Sequence, residues 1–433
     1  MQRLIPGTDD DRDYQTQRRT NLRRLQRVID DEWIEWENEH KLRFCEIALA
    51  CLDFKTHVEE FEHAEDEPCL QYLTILHRSI IEPLYKELAR CSQGLKLFPS
   101  GYDSTEQPSS ILLYDNGEAD GQGVKAKWAQ EAMNQWDDNF VEYVRKARDN
   151  LSMTAVPCNR VLVAILDTGI DLEDKAIKRD HRSGRFKGKM NWTDKSRPDD
   201  ISDNHGHSTH VARLVLSMAP CADILVAKVS NELTIPKNKL SGIAEAINWA
   251  IDEGANIISM SLGYENYNRA IEAAVSRAYT QGILMVAAAS NQGGNAKKGK
   301  GRTRPASSHK VICIHACDGK GNEGGMSPNP KPKTENFSML GVAIPSKWKS
   351  NIVHKSGTSF ATPVAAALAA NVLEFASFHL ASAQMTGLRE KEAMSQVFLD
   401  MSEERTDYDH VWPCRWDWSN TGEVIKNIMD ALG

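Results

Sequence analysis

The sequence lacks three features that would direct it to a membrane or to nucleic acid. It has no run of about 18 apolar residues, which a membrane-spanning helix needs. Its first residues, Met1–Pro6 and then Asp9–Asp11, contain no apolar signal-peptide core. Its net charge is −8, with 52 Lys and Arg against 60 Asp and Glu, so a general nucleic-acid surface is disfavoured. We therefore expect an intracellular, cytoplasmic protein with no membrane and no nucleic-acid partner.

The cysteine pattern gives no sign of a disulfide framework. The number of cysteines is odd, and most of them lie in apolar strings, which is typical of reduced, buried thiols. Cys313 and Cys317 are too far apart for a CxxC pair. The nine cysteines are Cys45, Cys51, Cys69, Cys91, Cys158, Cys221, Cys313, Cys317 and Cys414.

A chain of 433 residues is too long for one compact core, so two or more units are expected. Apolar residues recur every three to four positions through residues 1–95 and predict a small all-α bundle. Residues 96–126, rich in Gly and Pro, predict a linker, and residues 127–158 a connecting helix. Residues 381–433 read as a helical and irregular extension, with Trp412, Trp416 and Trp418 as packing anchors.

The region 159–380 alternates between buried strands and amphipathic helices. Strand–helix–strand repeats predict an α/β domain in which a parallel sheet is covered by helices on both faces. The predicted strands are Val161–Leu166, Ile224–Val229, Asn256–Leu262, Ile283–Ala289 and Val311–His315, and one predicted helix is Leu240–Asp252.

The string Ser356–Pro363 places Ser359 behind a glycine turn, at the start of an Ala-rich helix. The first turn of a helix offers unpaired N–H groups and a partial positive charge, which suit a serine nucleophile whose attack creates an oxyanion. On its own, the string is equally typical of a capped core helix.

Two upstream strings complete a possible catalytic set. Asp167 ends an apolar strand, and a Gly-bearing turn at Asp203–Ala212 brings histidines to a helix start. Taken singly, Asp167 is typical of a turn, and His207 of a buried core histidine. A zinc site at His205, His207 and His210 is disfavoured, because no Cys or Glu lies in suitable local spacing.

Together these strings resemble those of the subtilisin-like serine proteases, the subtilases. Asp167 matches the family's Asp-Thr/Ser-Gly motif, His207 the first histidine of His-Gly-Thr-His-Val-Ala, and Ser359 the serine of Gly-Thr-Ser. Ser259–Gly263 resembles the strand that pairs with bound substrate, and Ala287–Asn291 resembles the segment with the oxyanion-hole asparagine. The resemblance covers about residues 159–371.

The resemblance implies a serine endopeptidase acting on protein or peptide substrates, with its peptidase domain over 159–380. It implies that Asp167, His207, Ser359 and Asn291 are catalytic. It implies substrate binding by Ser261, Leu262, Gly263 and Ser290. No cofactor is expected, although the family makes calcium possible without a clear motif here. The alternative is a catalytically weak or degenerate protease fold that serves as a binding or signalling module.

The chain departs from the family pattern at three positions. Ser208 and Ser290 stand where Gly is usual, and Arg213 stands where Gly is frequent. At Ser208 we expect crowding or a changed backbone angle. The helical front does not match the usual subtilase propeptide, so residues 1–95 are interpreted as a regulatory or self-association module. A permanently docked structural bundle is the alternative.

Overall fold

The computed structural model describes residues 111–113, 123–152, 160–235, 240–293, 301–349 and 351–433. The all-α bundle predicted for residues 1–95 lies outside these residues. The described strands are β1 Ile111–Leu113, β2 Leu162–Asp167, β3 Phe186–Asn191, β4 Asp223–Lys228, β5 Thr234–Ile235, β6 Ile257–Met260, β7 Leu262–Gly263, β8 Leu284–Ala288, β9 Ile312–Cys317, β10 Phe337–Leu340, β11 Ile344–Trp348, β12 Asn351–Lys355, β13 Ser402–Arg405 and β14 Tyr408–Val411.

Ten α-helices are described, and several of them cover the sheet. They are α1 Val124–Trp136, α2 Glu142–Ser152, α3 Lys175–Arg182, α4 His207–Met218, α5 Ser241–Asp252, α6 Arg269–Thr280, α7 Thr358–Ser377, α8 Ser382–Leu388, α9 Lys391–Asp400 and α10 Thr421–Asp430. A π-helical segment, Asp137–Val141, joins α1 to α2.

The main sheet has nine strands in the order β13-β14-β10-β9-β8-β6-β2-β4-β3. Each neighbouring pair is parallel except β13 with β14, which is antiparallel. Strand β2 shows how the faces are covered: Val163 and Ile165 pack in one apolar core, while Ala164 and Leu166 pack in the other. Successive side chains of a strand point to opposite faces, so helices lie on both sides. The predicted fold class is confirmed.

Helix α7, which contains the predicted nucleophile in its first turn, runs through the larger core. It is the described helix whose length and apolar composition would let it cross a bilayer, and its whole apolar stretch is buried inside the protein. The search for an unbroken apolar run in the sequence did not find this helix, because Asn371 and Glu374 interrupt the run. The Asn371 amide donates to the Met218 carbonyl at 2.6 Å, and Glu374 forms an ion pair with Arg148 of α2. These partners satisfy the polar groups that the helix takes into the core.

The structure differs from the predicted organisation at both ends of the peptidase region. Helix α1 begins at Val124, inside the stretch predicted as a linker, and β1 lies in that stretch too. The predicted C-terminal extension contributes β13 and β14 to the main sheet. The predicted role of the C-terminal tryptophans is confirmed, since the Trp418 ring lies 4.3 Å from the ring of Phe140 and 5.4 Å from that of Phe375.

Two buried histidines make the fold sensitive to acid. Burial lowers the pKa of His315 to about 3 and that of His410 to about 4, from an ordinary value near 6.5. Both therefore stay neutral in the folded state, while the unfolded chain binds protons below about pH 6.5. Stability that is present above that pH is lost as the pH falls towards the folded-state values.

We expect His315 alone to lower the free energy of unfolding by about 2 kcal/mol between pH 7 and pH 5. Urea denaturation at the two pH values measures this loss. His315→Gln is expected to reduce the difference between them, because glutamine does not titrate. His309→Gln is the matched control, since His309 is exposed. An unchanged pH dependence in His315→Gln would contradict the assignment.

Candidate active site

Ser359 and His207 meet at the starts of two helices, over the carboxyl end of β2. Ser359 is the second residue of α7, and His207 is the first residue of α4. The distance from His207 Nε2 to Ser359 Oγ is 3.0 Å, and that from His207 Nδ1 to Asp167 Oδ1 is 2.7 Å. The structure thus brings together the three residues that the sequence singled out, in the order Asp167, His207, Ser359.

The turn before α4 is shaped to deliver His207. Gly206 has a φ of +89°, a conformation that a side chain disfavours, and a Cβ there would lie 2.8 Å from the Trp348 ring. Asp203 Oδ1 accepts from the Gly206 N–H at 2.8 Å, and Asp203 Oδ2 accepts from the Thr209 N–H at 2.9 Å. Asp203 therefore fixes both the turn and the first turn of the helix.

Sequence reasoning gave Asp203 no role, although it lies four residues before the histidine. The Thr168 hydroxyl donates to Asp203 Oδ1 at 2.9 Å, and the Thr168 N–H donates to Asp167 Oδ1 at 2.7 Å. Thr168 thereby links the strand that holds Asp167 to the turn that holds His207. An Asp just before a glycine turn is a known turn signal and could have indicated this function.

Asn291 is oriented by Thr358, the residue next to the predicted nucleophile. Its Oδ1 accepts from the Thr358 N–H at 2.8 Å and from the Thr358 hydroxyl at 2.9 Å. Two donors on one oxygen fix which end of the amide is which. The Nδ2 donor is buried and has no hydrogen-bond partner among the described residues. A buried, preoriented donor beside a serine nucleophile is what an oxyanion hole requires.

The predicted substrate-binding residues also lie at the site. The Ser261 hydroxyl donates to the Ser359 carbonyl at 2.7 Å, and Leu262–Gly263 form β7. Ser290 is buried with a φ of +149°, and its hydroxyl accepts from the Gln292 N–H at 3.1 Å. A positive φ explains why glycine is usual at this position, since a side chain there is strained.

The other two departures cause no distortion of the backbone. Ser208 is buried inside α4 and has no positive φ, so of the two expected effects, crowding and a changed backbone angle, the second is not found. Its N–H donates to the Thr168 hydroxyl at 3.1 Å. Arg213, further along the same helix, pairs with Asp174 at 2.8 Å, and Asp174 caps α3.

The three neighbouring histidines have separate environments. His205 is exposed, whereas His210 is buried, with its Nδ1 2.6 Å from the Ser346 hydroxyl and its ring against Phe360. Within the described ranges, no group of three His, Cys, Asp or Glu side chains could hold a metal ion.

Comparison with known proteins identifies the family to which the chain is similar. A family model described as the subtilase family matches residues 159–406. The chain is 36% identical over 224 residues to the thermostable alkaline protease of Halalkalibacterium halodurans, covering 49% of this chain and 57% of that protein. It is 34% identical over 200 residues to the subtilisin-like protease het-Q2 of Podospora anserina, covering 41% and 51%. It is 32% identical over 165 residues to the major intracellular serine protease of Bacillus subtilis, covering 36% and 50%.

The chain spans about half the length of each of these relatives. The family match itself covers more than half of the chain and includes Asp167, His207, Asn291 and Ser359. The chain therefore belongs to the subtilase family.

Proposed function

We propose that the protein is a serine endopeptidase that hydrolyses peptide bonds through Asp167, His207 and Ser359. The observation that carries the proposal is the position of His207, hydrogen-bonded at one ring nitrogen to Asp167 and at the other to Ser359. A serine hydroxyl is a weak nucleophile, and a neutral imidazole within hydrogen-bond distance removes its proton during attack. Asp167 holds the ring in the tautomer that leaves Nε2 as the acceptor and stabilises the imidazolium.

The reaction follows from these positions. Ser359 Oγ attacks the carbonyl carbon and passes its proton to His207, and the carbonyl oxygen becomes an oxyanion. The Asn291 Nδ2 donor and the Ser359 backbone N–H stabilise that charge. His207 then gives the proton to the leaving amine, and the C–N bond breaks to leave an ester on Ser359. Water, deprotonated by His207, hydrolyses the ester and regenerates the serine.

The competing function, a degenerate protease fold that only binds, is less well supported. A fold that had lost catalysis would be free to lose any one of the groups that the reaction needs. Here Asp167, His207 and Ser359 keep hydrogen-bonding distances, and Asn291 keeps a buried donor beside them. Positioning of this kind serves a reaction and adds little to simple binding.

A fluorophosphonate probe tests the proposal directly, because it phosphonylates an activated serine. We expect stoichiometric labelling that peptide mapping assigns to Ser359, with none in the Ser359→Ala variant. Denatured protein serves as a control, since labelling there would reflect unspecific reaction. The exposed Ser202 offers a matched variant, and Ser202→Ala should label like the wild type. Labelling that survives Ser359→Ala would overturn the assignment of the nucleophile.

Two finer parts of the proposal concern location and control. We assign the protein to the cell interior, in line with its relative from Bacillus subtilis, which is named as intracellular. We also assign a regulatory function to residues 1–95, because a protease inside a cell must be restrained and the apolar stripes of this segment offer a packing surface. A chain without residues 1–95 whose peptidase rate equals that of the full chain would contradict this regulation.

A further inference from the structure

Strands β11 and β12 form a two-stranded antiparallel hairpin that leads directly into the nucleophile. Lys355 ends β12, and Ser359 follows in the first turn of α7. The stretch 344–355 contains three lysines and one histidine but neither Asp nor Glu. In a chain whose net charge is −8, this is a local concentration of positive charge beside the candidate active site.

The inner face of the hairpin packs against the turn that precedes α4. The Trp348 ring lies so close to this turn that a Cβ built on Gly206 would be 2.8 Å from it. The Ser346 hydroxyl lies 2.6 Å from His210 Nδ1, and the Trp348 and His210 ring centroids are 5.8 Å apart. Because side chains alternate along a strand, Lys347 points to the outer face, where it is exposed. The hairpin therefore flanks the start of α4 and presents charge to solvent.

The charges of Lys347 and Lys349 are not neutralised by the part of the chain that the structure describes. Neither lysine forms an ion pair with a described carboxylate. Lys349 Nζ lies 5.5 Å from the centre of the Trp348 ring, a cation–π contact that keeps this charge close to the turn before α4. Arg213 donates to the Lys347 carbonyl at 3.3 Å and pairs with Asp174 at 2.8 Å, so the Asp174 carboxylate is already neutralised.

The part of a substrate that meets the hairpin is the part after the cleaved bond. In the proposed reaction His207 gives its proton to the leaving amine, so the residues that follow this amine leave Ser359 on the side of His207. The residues before the bond lie on the other side, where β7 offers main-chain groups and Asn291 offers its buried donor. The predicted substrate-binding residues of that side, 261–263 and Ser290, are uncharged. Selection by charge therefore belongs to the leaving side.

We propose that the β11–β12 hairpin is a charge-selective surface for the leaving segment of the substrate, and that it favours peptides with Asp or Glu two to three residues after the cleaved bond. The proposal rests on the serine endopeptidase function and names the substrate class of that site. Charges closer than a Debye length, roughly 8 Å at physiological ionic strength, still attract each other, so the lysines act on a peptide without a direct ion pair. Complementary charge of this kind mainly sets the choice between partners.

An acyl-transfer experiment measures the leaving side alone. An ester substrate with an uncharged acyl group acylates Ser359, and an added peptide amide then competes with water for the acyl group. The amine nitrogen attacks the ester carbon and forms the C–N bond, the C–O bond to Ser359 breaks, and His207 carries the proton from the amine to Ser359 Oγ. The peptides are Ala-Glu-Glu-amide, Ala-Gln-Gln-amide and Ala-Lys-Lys-amide, which share the same reacting amine. Chromatography gives the ratio of aminolysis to hydrolysis for each.

We expect this ratio to be about tenfold higher for the Glu peptide than for the Lys peptide at low ionic strength, with the Gln peptide between them. In about 0.5 M NaCl the difference should fall below about twofold, because salt screens exposed charges. Lys347→Gln with Lys349→Gln should remove most of the preference. Lys333→Gln with Lys426→Gln removes two exposed lysines outside the hairpin and should retain it.

The ratio compares two fates of one intermediate, so a partly unfolded variant loses rate in both and keeps its ratio. Equal ratios for the three peptides in the native chain would overturn the proposal, as would a preference that survives Lys347→Gln with Lys349→Gln. If the ester is hydrolysed and the peptides partition equally, the endopeptidase function stands and the charge-selective surface is wrong. If the ester is not hydrolysed and fluorophosphonate does not label Ser359, the function fails and the preference fails with it.

Discussion

Replacing His207 with alanine is expected to reduce kcat for peptide hydrolysis by about 10⁶-fold, whereas His205→Ala should leave it nearly unchanged. In subtilisin, a member of the same family, removing the histidine alone has a cost of about this size. The physical reason is that His207, the base in our proposal, is in hydrogen-bond contact with Ser359 Oγ, at 3.0 Å. Steady-state kinetics with a fluorogenic peptide measure the difference.

The comparison is informative because the two histidines are two residues apart. His205 is exposed, while His207 is buried between Asp167 and Ser359. His210 gives a third variant for comparison. It is buried against Ser346, so His210→Ala should lower the free energy of unfolding and leave most of kcat. Similar losses of kcat in His205→Ala and His207→Ala would point to a shared metal site, and rate recovery with added zinc would then decide.

Asn291→Leu should lower kcat by about 10²–10³-fold with little change in KM, the range known for the corresponding asparagine of subtilisin. The loss falls on kcat because Nδ2 interacts with charge that exists only after the attack of Ser359. Leucine also removes the oxygen that accepts hydrogen bonds from Thr358. The variant Thr358→Val measures separately what is lost with the hydrogen bond from the Thr358 hydroxyl to Asn291.

We expect Thr358→Val to cost much less than Asn291→Leu, since the Thr358 backbone N–H still orients the amide. The exposed Asn204 gives a control, and Asn204→Leu should keep both kinetic parameters. An Asn291→Leu variant that loses affinity for substrate but keeps kcat would show that the side chain binds the ground state. The oxyanion assignment would then be wrong.

The centre of the sheet was predictable because its strands are buried on both faces. Strands β4 and β8 are entirely buried, and continuous apolar runs there are a strong signal. The strands at the edges of the sheet were missed because they are not buried on both faces. Strand β3 carries Lys187 and Lys189, and β13 is Ser-Glu-Glu-Arg, so neither shows an apolar pattern. Charged edge strands are common because they discourage pairing with other chains.

The residues that meet at the candidate site were predictable from motifs, but the backbone pairing around the site was not. Asp167, His207, Asn291 and Ser359 stand in strings whose residue types serve one reaction, whatever their distance along the chain. The pairing of β1 with β7 has no such signal, because three residues in a Gly- and Pro-rich stretch gain their structure from neighbours more than 100 positions away. Tertiary pairing of this kind overrides local propensity.

The packing of α1 and α2 bears on where this protein could be cut. Trp136 of α1 meets Trp412, Phe140 meets Trp418, and Arg148 of α2 holds the buried carboxylate of Glu374. A fragment trimmed to the family-matched range 159–406 would lose both aromatic pairs and would leave the buried Glu374 without its arginine. Removing one partner of a buried ion pair alone costs about 3–5 kcal/mol. Val424 and Ile428 of α10 are also buried in the larger core. We therefore expect the folding unit among the described residues to extend past both ends of the family match, and protease digestion of the native chain to spare both α1 and α10.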